Sequence, residues 1–229
     1  MKRKLNIVIG LLLILIGIGL FIVPRLSMEM LRKESNKAVA SLTEMTTEQF
    51  RENATREVEY DFEAISSINV EQSIRRSILG SQDTINQYKD DIVGQMIIED
   101  LNINLVLFNG INDPKLYVGV TTMKPGQVFG QGNYAIAGHW SSVDDVLLAR
   151  LPEIQLGTII KLTDKENVYE YKVYKAELVL ATDIHLIEDA MATQHGKPIV
   201  SVMSCYYTNH DTHRWFAFGE LVNVYPYES

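Results

Sequence analysis

The sequence contains a single cysteine, Cys205, which is its best candidate for covalent chemistry. It follows the apolar run Ile199–Ser204 and precedes a polar loop. A strand can therefore hold it rigidly at an accessible end, as a nucleophilic thiol requires. Free cysteine is also among the most buried residue types, so the cysteine alone favours an inert core position. Its neighbours must decide between the two interpretations.

A thiol with a pKa of about 8.5 is only a few per cent ionised at neutral pH and needs a basic partner. His139 ends the apolar run that begins at Tyr134, and imidazole is the natural general acid and base near neutrality. His210 and His213 are closer to Cys205 in sequence, but their polar loop indicates solvated residues or residues at the substrate rim.

Arg214 opens the strand that follows this loop. A hairpin between the two strands would bring Arg214 beside Cys205. There its guanidinium could stabilise a thiolate or a developing oxyanion, although it cannot act as a base. Taken alone, the arginine is explained as well by a strand cap or by a pair with Asp211.

The elements that must position these residues are strands. From Ile92 onward, β-rich runs alternate with Gly, Pro, Asn and Asp, and few regular helices separate them, which favours a closed β-barrel or a sandwich. Only Val143–Arg150 is predicted as a helical turn in this half. The predicted strands are Val93–Ile98, Ile103–Phe108, Leu116–Val120, Tyr134–Ala137, Thr158–Leu162, Val168–Lys175, Glu177–Ala181, Ile199–Ser204 and Trp215–Val224.

The N-terminal part divides into three predicted segments. Residues 1–24 form a cytoplasmic tip and a transmembrane anchor, because Leu5–Val23 would span about 29 Å as a helix and basic residues precede it. Residues 25–58 form a solvated helical stalk, in which Thr46 and Gln49 have the spacing of a capping box. Residues 59–91 form an appendage of helical character, and residues 92–229 form the barrel.

Composition excludes other classes of protein. The net charge of −8 argues against a nucleic-acid binder. The lone cysteine cannot form an intramolecular disulfide. The 229 residues, 46% of them hydrophobic, are enough for one sizeable core.

Three motifs together resemble the sortase family, and the N-terminal anchor is similar to class A, the housekeeping type. The motifs are Ala137-Gly-His139, Ser201-Val-Met-Ser204-Cys205, and Arg214 leading into Trp-Phe-Ala-Phe. The resemblance implies an all-β, closed eight-stranded barrel with short helices, behind a transmembrane helix and stalk.

The resemblance also implies a cysteine transpeptidase at the cell membrane, with one membrane pass, a cytoplasmic N-terminus and an extracellular catalytic domain. Cys205 would attack the Thr–Gly bond of a Leu-Pro-x-Thr-Gly signal on a surface protein. The amine of a lipid-linked peptidoglycan precursor would then resolve the thioacyl enzyme. His139 would transfer protons, and Arg214 would hold the oxyanion or the substrate backbone.

Further residues follow from the same resemblance. Ser204 stands where the family usually has threonine and would still hydrogen-bond the substrate, near Ala137. Ile184, Leu186 and Ile187 would line the groove for the Leu-Pro end, although core packing of a loop helix explains them equally well.

No cofactor is implied. Some class A sortases bind calcium through carboxylates before the motif histidine, but no Asp or Glu lies between Pro114 and Val143. Calcium prefers several oxygen ligands, carboxylates among them. We therefore expect calcium independence.

Two other functions remain compatible with parts of the sequence. An L,D-transpeptidase-like acyltransferase would also use a cysteine and a histidine, but at closer spacing and with a glycine beside the cysteine. A non-catalytic, membrane-tethered barrel that binds a wall component would bury Cys205 and not need its chemistry.

Overall fold

The computed structural model describes residues 2–65, 84–205 and 212–228. The chain begins with α1 (Lys2–Ser41), a 3-10 turn (Leu42–Glu44) and α2 (Thr47–Ala54). The predicted capping box is confirmed: the Thr46 hydroxyl accepts from the Gln49 main-chain N–H, and the Gln49 side chain accepts from the Thr46 main-chain N–H.

Among the described residues, no helix has both the length and the apolar character that crossing a membrane requires. The transmembrane anchor predicted for residues 1–24 is therefore not confirmed. The stalk predicted from residue 25 is helical in its first part, since α1 continues without a break to Ser41, and this part packs against β2 instead of standing free in solvent. Met28 and Leu31 are buried in the main core of the barrel, and Ala38 is buried in a neighbouring cluster.

Eight strands close into a barrel, as predicted, in the order β1-β2-β3-β4-β7-β8-β6-β5. The pairs β2–β3 and β4–β7 are parallel and the others antiparallel. The strands are β1 (Ile92–Ile98), β2 (Ile103–Phe108), β3 (Gly119–Thr122), β4 (Asn133–Gly138), β5 (Ile159–Thr163), β6 (Asn167–Leu180), β7 (Ile199–Cys205) and β8 (His213–Pro226).

Short helices connect these strands. They are α3 (Thr84–Gln87), α4 (Asp113–Leu116) and α5 (Asp189–His195), with further 3-10 turns at Phe62–Ala64, Lys89–Asp91, Glu99–Leu101, Leu151–Glu153 and Ile184–Ile187.

Three local predictions are corrected by the structure. β3 begins at Gly119 and not at Leu116, because Asn112 caps α4 and Pro114 sits in its first turn. Val143–Arg150 forms turns and not a helix, since Asp145 and Leu147 adopt positive φ angles of 60° and 51°. The two strands predicted around Ala176 are one continuous strand, β6.

Where it is described, the appendage predicted to be helical forms short helical turns, at Phe62–Ala64, Thr84–Gln87 and Lys89–Asp91. Tyr60 forms an isolated parallel bridge with Ile111, and a 3-10 turn follows. The only α-helix in its described part is α3, and residues 66–83 lie outside the described residues. We call Glu59–Ile65 the strap.

β7 is buried along its whole length because both of its faces are covered. Successive side chains point to opposite faces of a strand. Val200 and Val202 therefore belong to the core inside the barrel, whereas Met203 and Cys205 belong to an apolar cluster on the outer face. This outer cluster, under the strap, is where the candidate site lies.

Candidate active site

Strand register brings the three predicted residues together. β4 and β7 are parallel with Gly138 opposite Ser204, so His139 follows β4 at the level of Cys205. β7 and β8 are antiparallel with Cys205 opposite Arg214. Neighbouring strands lie about 4.8 Å apart and paired residues share a face. The predicted pairing is confirmed for β7 and β8, which places Arg214 next to Cys205.

The thiol of Cys205 is covered by the strap. Its side chain is 5% exposed, and Sγ donates a hydrogen bond to the carbonyl oxygen of Ile65 over 3.3 Å. Two main-chain hydrogen bonds hold the strap to the barrel: Ile111 donates to Glu59 over 2.8 Å, and Asp61 donates to Ile111 over 3.0 Å. The strap thus contributes to the burial of the cysteine, which also packs with Met203 and Phe216 in the outer cluster. No sequence signal pointed to Ile65.

His139 is fully buried and faces α4. Its Nε2 atom lies 3.9 Å from Oδ1 of Asp113, whose side chain is half exposed. The ring of Tyr117 meets the imidazole edge-on, with centroids 5.1 Å apart. The carbonyl of His139 accepts from the main-chain N–H of Leu148, which fixes the backbone after β4. Sequence reasoning missed Asp113, although the helix-start pattern Asn112-Asp113-Pro114 could have placed it at the beginning of a helix.

Arg214 is half-buried at the start of β8, where its guanidinium donates to the carbonyl of His213 over 3.0 Å. It lines a pocket of about 160 Å³ next to the thiol. The alternative partner Asp211 and the candidate His210 lie outside the described residues.

The pocket beside Arg214 has apolar walls. Its other lining residues are Phe62, Ile65, Met123, Leu180, Ala181, Asp183, Ile184, Ile187, Met203 and Phe216. Two of the predicted groove residues, Ile184 and Ile187, are therefore in place, and Ile184 is 72% exposed. Leu186 is instead buried in the outer cluster. Phe62 and Ile65 of the strap take up part of the same pocket.

The two other predicted substrate residues lie on opposite faces of the sheet. Ala137 is buried in the outer cluster, level with Met203 on β7. Ser204 alternates to the inner face, fully buried, and its hydroxyl has no hydrogen-bond partner within the described residues. Its Cα partners are Gly138 on β4 and Trp215 on β8. The structure does not bring the Ser204 hydroxyl to the face that carries the thiol.

A buried amide that sequence reasoning missed holds the turn carrying Ile184. The Asn133 side chain donates to the carbonyls of Leu186 (2.9 Å) and Glu188 (3.2 Å), and it accepts from the hydroxyl of Ser201 (2.7 Å). Such a network fixes one geometry because each unmet polar group would be costly.

The carboxylate of Asp189 completes this attachment. It accepts from the main-chain N–H of Asn133 over 2.9 Å and pairs with Lys124. The Asn133 N–H and then the Lys124 ammonium hold the pKa of Asp189 below its usual value. The start of α5, and with it the groove wall, is therefore tied to β4.

A larger cavity, of about 770 Å³, lies elsewhere, between α2 and the barrel. Phe50, Phe129 and Tyr169 contribute to its lining, and none of the three candidate catalytic residues does. Within the described parts of the chain, no cluster of three or more His, Cys, Asp or Glu residues could hold a metal ion.

Comparison with known proteins connects this geometry to a family. The family model for the sortase domain matches residues 96–222. Sortase A of Listeria monocytogenes is 26% identical over 93% of this chain and 90% of its own length. Sortase A of Bacillus anthracis is 31% identical over 59% of this chain and 62% of its own.

Solved structures agree with these sequence matches. The crystal structure of Listeria monocytogenes sortase A superposes with a TM-score of 0.54 at 30% identity, covering 59% of this chain and 90% of that one. Sortase C-3 of Streptococcus pneumoniae shares the fold, with a TM-score of 0.56 at 20% identity, over 86% of this chain and 92% of its own. The family match covers more than half of the chain, including all three strand ends that carry the candidate residues, and on that ground the chain belongs to the sortase family.

Proposed function

We propose that this sortase is a class A transpeptidase that cleaves the Thr–Gly bond of a Leu-Pro-x-Thr-Gly signal and joins the protein to a cell-wall precursor amine. The proposal is supported by the strand register: Cys205 pairs with Arg214, which lines an apolar pocket, and His139 follows the β4 residue that pairs with Ser204. The relatives named sortase A support the class.

The first half-reaction requires the strap to leave the thiol, because the Ile65 carbonyl occupies the position beside Sγ. The Cys205 thiolate then attacks the threonine carbonyl carbon and forms a carbon–sulfur bond. Arg214 stabilises the negative charge that develops on the carbonyl oxygen. The C–N bond breaks as His139, protonated, gives its proton to the leaving glycine amine. The products are a thioester on Cys205, a free amine and a neutral imidazole.

The second half-reaction reverses these roles. The precursor amine attacks the thioester carbonyl carbon, and His139 takes a proton from the attacking nitrogen. The carbon–sulfur bond breaks, the thiolate leaves and an amide forms. The enzyme returns to its thiolate and imidazolium state, so no external oxidant, reductant or metal is consumed.

The proposed location is the outer side of the cell membrane, with one pass near the N-terminus. The support is the sequence of Leu5–Val23 and the basic residues Lys2, Arg3 and Lys4 before it. Fractionation of cells that express the full chain tests this: recovery in the membrane fraction after washing with salt and carbonate is expected. Recovery in the soluble fraction would contradict the proposed membrane anchor.

We also propose that activity does not depend on calcium, because the loop before His139 lacks carboxylates. Turnover of chelator-treated protein should stay unchanged when calcium is added. A several-fold rise in turnover would contradict this.

The activity is tested with the full-length protein, a Leu-Pro-x-Thr-Gly peptide and hydroxylamine as the amine, with mass spectrometry of the products. We expect the hydroxamate of the Leu-Pro-x-Thr fragment, and none with Cys205→Ala. His139→Ala should lower kcat by about 10²–10⁴-fold. Arg214→Ala should lower it by about 10²–10³-fold, and Arg214→Lys should not restore the full rate because lysine lacks the planar fork.

Other results would favour the other functions. Acyl transfer on muropeptides without cleavage of the signal peptide would indicate an L,D-transpeptidase-like enzyme. Full surface display of anchored proteins by cells carrying Cys205→Ala would favour a non-catalytic wall-binding barrel.

A further inference from the structure

Asp113 is a charged residue that lies close to the imidazole of His139. Its Oδ1 atom lies 3.9 Å from Nε2 of His139, too far for a hydrogen bond but close enough for a strong charge interaction. Its position is set by α4, where Asn112 accepts the N–H of Lys115 and caps the helix that Asp113 begins. The Lys115 side chain also holds this helix in place by donating a hydrogen bond to the Asn109 carbonyl over 2.7 Å.

This placement has opposite effects on the two protonation states of His139. The imidazole is buried, and burial disfavours its charged form. A carboxylate within about 4–6 Å favours the charged form. The proposed mechanism needs that charged form twice, beside the thiolate and as the acid that protonates the leaving amine.

We propose that Asp113 is a positioning residue for the transfer reaction: its carboxylate favours the protonated form of His139 over the neutral form. This inference rests on the proposed function of His139. No proton passes to Asp113, and it does not touch the reacting carbonyl. Its effect is to enlarge the fraction of enzyme in the thiolate and imidazolium state that starts the reaction.

The ionisable groups that face His139 come from several elements. Asp113 and Tyr117 approach from α4 and its C-terminal end, and Cys205 approaches from β7 at the same register level. Arg214 lies on β8, the strand next to β7, opposite Cys205. A guanidinium there disfavours a second positive charge on the imidazole, and the Asp113 carboxylate offsets this effect from the other side.

Asp113 has a competing role that the test must separate. Because its side chain is half exposed, the carboxylate could instead attract the ammonium group of the incoming acceptor. That role would change KM for the amine and would leave the pH dependence of acyl-enzyme formation as it was.

The test compares Asp113→Asn with Asp113→Glu, which retains the charge. A third variant, Glu52→Gln, removes an exposed carboxylate from α2, which packs on β1. For each full-length protein, kcat/KM for cleavage of the signal peptide is measured from pH 5 to pH 10. The imidazole resonance that is missing from His139→Gln is titrated by NMR over the same range.

For Asp113→Asn we expect the alkaline limb of the profile and the midpoint of the NMR titration to move down together by about 0.5–1 pH unit. kcat/KM near neutral pH should fall by about 3–10-fold. Asp113→Glu should retain most of the wild-type profile, and Glu52→Gln should match the wild type.

Two outcomes would overturn the proposal. The first is an unmoved NMR titration in Asp113→Asn, and the second is a raised KM for the amine with an unchanged cleavage profile. If the wild type does not cleave the peptide at all, the proposed function fails. The NMR titration still decides in that case whether Asp113 controls the charge of His139.

Discussion

Shortening the Ile65 side chain should expose the thiol. Ile65 is buried beside Cys205 in the outer cluster, with 4% of its surface exposed, and its carbonyl accepts the thiol hydrogen bond. Ile65→Ala removes about 2 kcal/mol of apolar burial that holds the strap down. That free energy corresponds to roughly a thirtyfold larger population with the strap lifted.

The assay is alkylation of the folded protein by iodoacetamide. Cys205 is the only cysteine, so every modified molecule reports on this site. If the strap opens and closes faster than alkylation, the rate follows the open population, and Ile65→Ala should react about thirty times faster than wild type. Ile154→Ala is the matched control, because Ile154 is equally buried but belongs to the core inside the barrel. It should lower global stability and leave alkylation under native conditions nearly unchanged.

The same substitution should make peptide cleavage more efficient at low substrate concentration, because Phe62 and Ile65 occupy part of the pocket beside Arg214. The expected change is a lower KM with kcat nearly constant. An alkylation rate equal to that of wild type, or an equal rise in Ile154→Ala, would refute the argument that the strap is what limits access to the thiol. A raised KM would mean that the strap contributes to binding and does not compete with the peptide.

Three further substitutions test the supports of the site. Asn133→Ala should lower the free energy of unfolding by about 3 kcal/mol, because several buried groups lose their partner, and should raise KM as the turn Ile184–Ile187 loosens; urea unfolding and peptide kinetics measure the two effects. Asp189 has a lowered pKa in the folded state, so its stabilising contribution is complete above about pH 4 and is lost as the pH falls through the folded value. In urea unfolding, the stability difference between wild type and Asp189→Asn should therefore shrink from pH 6 to pH 3. Burial lowers the pKa of Lys115 and its pair with Asp91 opposes this. Lys115→Met should cost about 1–3 kcal/mol, measured by urea unfolding, because the Asn109 carbonyl loses its donor and Asp91 keeps only its longer contact with Arg56.

The barrel could be predicted from the sequence because its strands carry strong local signals. β7 is one apolar run and β6 alternates over part of its length, so their existence follows from composition and period. The hairpin predicted between β7 and β8 correctly placed Arg214 next to Cys205. The order of the strands around the barrel was not predicted, since pairings such as β4 with β7 join segments far apart in the chain.

The parts of the site that sequence reasoning missed all depend on contacts between distant segments. The pairing of the Ile65 carbonyl with Cys205 joins residues 140 positions apart, and a backbone acceptor leaves no mark in the residue type. The family resemblance placed Leu186 in the groove, but on a 3-10 turn only some residues face outward, and Leu186 is buried in the outer cluster. Ser204 was assigned to the substrate from its hydroxyl, but alternation along β7 turns it to the inner face.

The register of β7 against β4 is the feature on which the chemistry depends most. A slip by one residue would turn Cys205 to the inner face and place Ser204 beside Arg214. Apolar packing alone resists such a slip weakly in this strand, because β7 is apolar on both faces and buried throughout. The hydrogen bond from Ser201 to Asn133, buried at 2.7 Å, resists it more strongly. Any other register would separate these two groups and leave them buried without each other, at a cost of about 2–6 kcal/mol. A polar pair that takes no part in the chemistry thereby decides which side of the barrel carries the thiol.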